Sequence, residues 1–449
     1  MSHDSKIRTN PHNSSMRGGG SGPIGRALLT GVAAMLVTGL LAACSSPGVT
    51  STATIATQAA GSATPMTAPA ATVTASFSPS PSPSSSPSPS ATPIPTPKSG
   101  PIKFTATGSL AHARINPTAT LTPDGSVLVA GGVDGSGRLS SAELYNPATG
   151  KFTATGPMLH KRSDGAAIQL PKSGVLIIGG QDDTTVLSST EMWDPGTGKF
   201  TAAGSMTTAR ENFTATDLGD GRILITGGLG RNTNTLASAE IYDPRTGMFT
   251  ATGSLANARA AHTATLLQDK RVLVNGGFDS KGQSVASAEL YDPATGKFTP
   301  TGSMISSRDS QTATLLPSGK VLVAGGYDAA GKALASAELY DPTAGTFSAT
   351  GSMTQSRYSH TATSLEDGQV LIAGGHINGC GSGALCDVGL TAKAELYDPA
   401  TGKFSPTGSM AHARADNAAT RLQDGSVLVV GGSADSFPHP LDSAELGQA

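Results

Sequence analysis

The stretch Lys297–Tyr340, KFTPTGSMISSRDSQTATLLPSGKVLVAGGYDAAGKALASAELY, decides the architecture, because nearly the same text occurs seven times after Ile102. Phe104, Phe152, Phe200, Phe249, Phe298, Phe347 and Phe404 open the copies, and a Gly-Gly pair, Gly325-Gly326 in this one, closes the middle of each. The period is about 48 to 49 residues, which marks an array of like supersecondary units rather than two or three unrelated domains.

Each unit reads as four strands. Thr312-Ala313-Thr314-Leu315 is short and built of small residues, suited to a crowded centre. An Asp-Gly or Ser-Gly pair then predicts a two-residue hairpin in six copies; Asp269-Lys270 breaks the pattern and predicts a looser turn. Val321-Leu322-Val323 is a continuous apolar, β-branched run, so the second strand is expected to be covered on both faces. Ser-Ala-Glu-Leu-Tyr is the third strand, and it ends in an Asp-Pro-x-x-Gly turn. Lys-Phe-Thr-x-Thr-Gly is the fourth, with Phe expected to pack inward.

Counting strands gives the closure. A fourth-strand copy stands at Ile102–Thr107, ahead of any complete unit, and the last unit stops after its third strand at Ala444-Glu445-Leu446. The first segment is therefore expected to complete the last unit, which removes the open sheet edge. The chain is read as all-β: a closed seven-bladed β-propeller over residues 101–449, its N-terminal strand completing the last blade.

The Gly-Gly pair, the Tyr-Asp-Pro turn and an Arg four residues after Met or Leu resemble the kelch repeat across residues 102–446. Where many kelch units carry Trp this chain has Phe, and its one Trp, Trp193, stands in the third-strand Tyr position of blade two. The resemblance implies a propeller of the kind found in binding scaffolds and in the copper-radical galactose oxidase family. An oxidase of that family needs two Tyr and two His around copper, one Tyr joined to Cys. Only Tyr327 and Tyr358 are free of the repeat position before the Asp/Asn-Pro turn, so a non-catalytic module without metal or cofactor is expected, with the oxidase as the alternative.

Seven arginines recur, Arg114, Arg162, Arg210, Arg259, Arg308, Arg357 and Arg414, and seven third-strand glutamates, Glu143, Glu191, Glu240, Glu289, Glu338, Glu395 and Glu445. Matched repetition predicts buried bidentate ion pairs, not an anion site. Binding residues are expected where the text varies, just after each Arg: Asn116, Asp164, Glu211, Asn212, Asp309, Tyr358 and Asp416, with Tyr358 as a stacking platform. His112, His160 and His412 share one repeat position in neighbouring blades, too far apart for a zinc site, and read as exposed loop residues.

The start of the chain is read as an address. Lys6, Arg8, Arg17 and Arg26 precede the apolar run Ala27–Ala43, and Leu41-Ala42-Ala43-Cys44 follows. The pattern is that of a secretory signal peptide, and Cys44 directly after it resembles the bacterial lipobox, implying a lipidated first residue of the mature chain. Residues 1–43 are thus expected to be a signal peptide. Residues 44–100, rich in Ser, Thr and Pro and ending in SPSPSPSSSPSPSATPIPTP, are expected to be an uncollapsed linker. In an exported chain, held at the membrane by its lipid, Cys380 and Cys386 are expected to form a disulfide in an insertion of blade six. The net charge of -2 gives no electrostatic case for nucleic acid. The expected partner is a protein or polysaccharide, met by a monomer.

Overall fold

The computed structural model describes residues 100–171, 173–377, 389–435 and 439–449. Cys44, Cys380 and Cys386 lie outside them, as do the stretches before residue 100 read above as a signal peptide and a linker. Seven four-stranded antiparallel sheets follow one another around an axis. Apart from a short 3-10 turn at Arg231–Thr233 the described elements are all strands. No described helix is long and apolar enough to cross a membrane.

Blade five shows the plan: Thr312–Leu315, Val321–Ala324, Ala337–Asp341 and Thr346–Ala349, in that order across the sheet. Every residue of the second strand is at most 1 % exposed. Val321 and Val323 pack toward blade four, Leu322 and Ala324 toward blade six. The missing polar alternation in the sequence is explained by this: both faces of the strand are an inter-blade core. Seven such clusters link each blade to the next, including blade seven to blade one through Leu428, Val430, Val127 and Val129. The first strands surround the axis, each touching the first strands of both neighbouring blades.

Closure occurs in blade seven. Lys103–Ala106 pairs antiparallel with Ala444–Gln448, Lys103 opposite Gln448 and Ala106 opposite Glu445. The first described strand is therefore the outer strand of the last sheet.

Third and fourth strands are joined by a turn in which the backbone N–H of Gly345 donates to the Asp341 carbonyl and the Asp341 side chain accepts from the N–H of Thr343. The Tyr340 and Phe347 rings pack across the pair at 4.8 Å. The Tyr340 hydroxyl meets Thr301 of the preceding blade at 2.8 Å. Trp193 keeps this pin by donating from Nε1 to Thr155 Oγ1 at 3.1 Å.

The hairpin between first and second strands differs from the sequence reading. It is a three-residue loop closed by a Leu316 N–H to Lys320 carbonyl bond, with Gly319 at φ +81°. Outside blade two, where Gly174 already opens the second strand opposite Leu170, the Asp-Gly or Ser-Gly pair occupies the last two loop positions, and only its glycine is left-handed. Blade four builds the same closure, Leu267 to Arg271, with Lys270 forced to φ +72°. Its turn is strained rather than looser.

The seven arginines and glutamates meet in the core of their blades. Arg308 is fully buried; its Nη2 donates to Glu338 Oε1 at 2.6 Å and its Nη1 to the carbonyls of Gly325 and Ser336. The contact is single, not bidentate, because Glu338 Oε2 accepts instead from the N–H of Ile305 at 2.7 Å. The same Arg–Glu contact recurs at 2.5–3.1 Å in all seven blades. Burial lowers the arginine pKa values, and the glutamates act against that.

Two outcomes follow for stability. Arg308→Ala, which strands the Glu338 carboxylate, is expected to cost about 3–5 kcal/mol in denaturant unfolding; an unchanged midpoint would contradict the buried pair. Lys270→Gly is expected to add on the order of 1 kcal/mol by relieving the left-handed backbone; a loss of stability would show that the lysine side chain contributes more than its turn costs.

Candidate functional site

The variable text after each arginine forms one end of the axial channel. Its first member pairs with the residue following Gly-Gly: Ile115 with Val133, Glu211 with Leu229, Asp309 with Tyr327, Tyr358 with His376. Both variable loops thus open on the same face. The second member has a left-handed backbone in every blade, with φ from 49° at Ser359 to 57° at Asp164.

These left-handed residues are bonded to one another. The N–H of Asn212 donates to the Asp164 carbonyl, Ala261 to Asn212, Ser310 to Ala261, Ser359 to Ser310, Asp416 to Ser359 and Asn116 to Asp416, at 2.9–3.3 Å. At the remaining junction Asn116 Nδ2 donates to Asp164 Oδ1 at 2.9 Å. A hydrogen-bonded collar therefore encircles the channel, and the side chains it carries face a cavity of about 340 Å³.

Four of the expected binding residues, Asn116, Asp164, Asn212 and Asp416, line that cavity. Three do not. Glu211, Asp309 and Tyr358 are first members, drawn into the bridge beside Gly-Gly, and are only 5–6 % exposed. Tyr358 is not an open platform: its ring stacks on His376 at 4.8 Å and meets Tyr327 edge-on at 5.1 Å. Sequence reasoning also missed the third member of each variable triplet, which places His262, Gln311, His360 and Asn417 on the cavity wall. A signal was present, since that position changes identity in almost every blade. His160 and His412 stand half-exposed on the outer side of the Glu191 and Glu445 pairs, away from the cavity lining.

The electrostatics are set by burial. Asp164 accepts from Asn116, Ser163 and Gln181, yet its protein surroundings raise its pKa. Glu211 is pushed up to about 7 by burial and by Asp164, with Arg138 acting the other way. Asp309 is pushed up to about 6 by burial although Ser284 and Ser310 donate to it. His262 and His360 are pulled down to about 3 by burial, and so stay neutral. Each is held by threonine hydroxyls on Nε2: Thr214 and Thr226 for His262, Thr312 for His360. Asp416 receives His376 Nε2 at 3.0 Å.

Comparison with known proteins agrees with this build. The Kelch motif model matches residues 115–159, 173–207, 259–305 and 311–354. Kelch motifs are present in the array. No curated protein matches the sequence. Among solved structures, a fungal alcohol oxidase of the AA5 family in complex with copper is similar in fold, at 17 % identity and a TM-score of 0.63, over 78 % of this chain and 76 % of that one.

Among the described residues no group of three His, Cys, Asp or Glu is placed to hold a metal. Tyr327, Tyr358 and His376 come together as packed ring faces and edges, and His376 Nε2 is taken by Asp416. The Nε2 atoms of His262 and His360 are taken by threonines in separate blades.

The raised carboxyl of Glu211 carries a pH signature. Its contribution to stability is complete below about pH 4.5 and is lost as pH rises through about 7. Glu211→Gln is therefore expected to gain on the parent chain in urea unfolding between about pH 5 and about pH 8. A difference that does not change with pH would contradict a strained, ionising Glu211.

Proposed function

We propose that the kelch propeller is a non-catalytic recognition module, exported and tethered by a lipid at Cys44, that binds a protein or polysaccharide at the collar face. The observation that carries this reading is the division of the repeat. The Arg, Glu and Gly-Gly positions are the same in all blades and are consumed by the core, whereas the triplets after each Arg differ, and their second and third members line one cavity. A scaffold that holds invariant text inside and varied polar text around one opening has the form of a binding surface. The signal pattern and the Ser/Thr/Pro-rich stretch support display away from a membrane, with the propeller acting as a monomer.

The second reading, a copper-radical oxidase of carbohydrates or alcohols, is favoured by the similarity to the AA5 enzyme. At this identity that similarity is one of fold.

A glycan array and a pull-down with the full chain, run beside copper loading and an oxidase assay, test the reading. The expected result is retention of a glycan or protein partner, lost on substitution of collar residues, with no copper-dependent oxidation. Copper-dependent turnover, or a partner that docks on the opposite rim, would overturn it.

A further inference from the structure

The cavity wall has a one-sided chemistry. Among the described residues lining it there is no lysine or arginine, while Asp416 contributes a carboxylate and Asp164 a second acidic group whose pKa is raised by burial. The two histidines on the wall are neutral, so they add no positive charge. The Arg–Glu pairs are spent within the blades, and Arg138, the nearest other guanidinium to Asp164, donates to Ser163 Oγ and is not among the lining residues.

A second observation is independent of the acids. Gln311 lines the cavity at 6 % exposure, and its Nε2 donates to the Asn275 carbonyl at 3.0 Å. That carbonyl fixes the amide, since the flipped group would set oxygen against oxygen. Gln311 Oε1 is therefore an acceptor, and it is buried with no hydrogen-bond partner among the described residues. The Asn417 amide, on the same wall, has no partner at either Oδ1 or Nδ2 among the described residues. Buried acceptors left unpaired are costly, and each calls for an N–H or O–H from something that enters.

From the unpaired wall acceptors, the two aspartates and the absence of a cationic wall residue, we propose that the axial cavity binds an organic cation, a primary ammonium group presented on a small polar ligand. The ammonium group brings three donors and one charge, matching Gln311 Oε1 and Asn417 Oδ1 together with Asp164 or Asp416. An anionic ligand meets these acidic groups with no cationic side chain on the wall to offset them. The proposal rests on the recognition-module reading and narrows it: the chemistry selected is the amine, whether it arrives on an amino sugar or on a lysine side chain.

The collar makes a clean test available. Asp164 and Asp416 sit at left-handed positions, which asparagine tolerates as well as aspartate, so Asp164→Asn with Asp416→Asn keeps the backbone. Calorimetric titration of the full chain uses two probe pairs, glucosamine against glucose and lysinamide against its side-chain-acetylated form. At least one charged probe is expected to bind, its neutral counterpart on the order of tenfold or more weakly, and the double carboxamide variant is expected to lose that preference. The responding pair tells amino sugar from lysine. Ser359→Asp, which adds a carboxylate to the same collar, is expected to tighten the charged probe and does not depend on a loss of function. The proposal is overturned if neither charged probe binds, if neutral counterparts bind equally, or if the double variant keeps the preference. A neutral glycan captured on the array without amine dependence would overturn this inference and leave the recognition module standing; copper-dependent oxidation would remove the module reading itself.

Discussion

The constraint on which the molecule depends is a strand with no outside. Val321-Leu322-Val323 and its six counterparts are apolar on both faces, and only a neighbour on each side keeps both faces dry. A row of such sheets has two bare ends, and the chain resolves this by bending the row into a ring. Small first-strand residues allow the inner edges to crowd together. The seventh sheet then needs a fourth strand, which the segment after the linker supplies at Lys103–Ala106.

A second layer of constraint fixes the face. Each arginine gathers the first glycine of the Gly-Gly pair, the start of the third strand and its glutamate, and that glutamate holds the loop through backbone N–H groups. The variable triplet is thus anchored at its base by an invariant network. Its first residue bridges to the neighbouring loop, its second turns left-handed into the collar, and its third faces the channel. Six of the seven collar bonds run through backbone atoms, so side chains there can differ without breaking those links, while the seventh depends on Asn116 and Asp164. This separation of structural from variable positions lets one scaffold carry seven different triplets.

Much of this was legible in the sequence. Repetition gave the number of blades, unbroken apolar runs gave the buried second strands, and the stray fourth-strand copy gave the closure. Matched Arg and Glu positions identified an internal contact, although the single-oxygen geometry was not visible because the competing donors are backbone N–H groups, which leave no trace in side-chain text. The site was half legible. Variation pointed to the right triplets but could not say which member faces the axis; that depends on the left-handed second residue, and Asn or Asp at four of its seven positions, Asn116, Asp164, Asn212 and Asp416, was the available sign. Tyr358 looked free because it broke the repeat, whereas it is held by Tyr327 and His376, which break the repeat beside it. Lys270 misled in the same way: the turn is enforced by the strands around it, not by its own preference.

Ring closure by the borrowed strand is tested most directly by comparing the thermal unfolding of two truncated chains, one beginning at residue 100 and one at residue 108. The closed propeller predicts a single cooperative transition for the longer chain, and a lower, broader one for the shorter, in which Ala444–Gln448 has lost its outer partner. Coincident transitions for the two chains would contradict it.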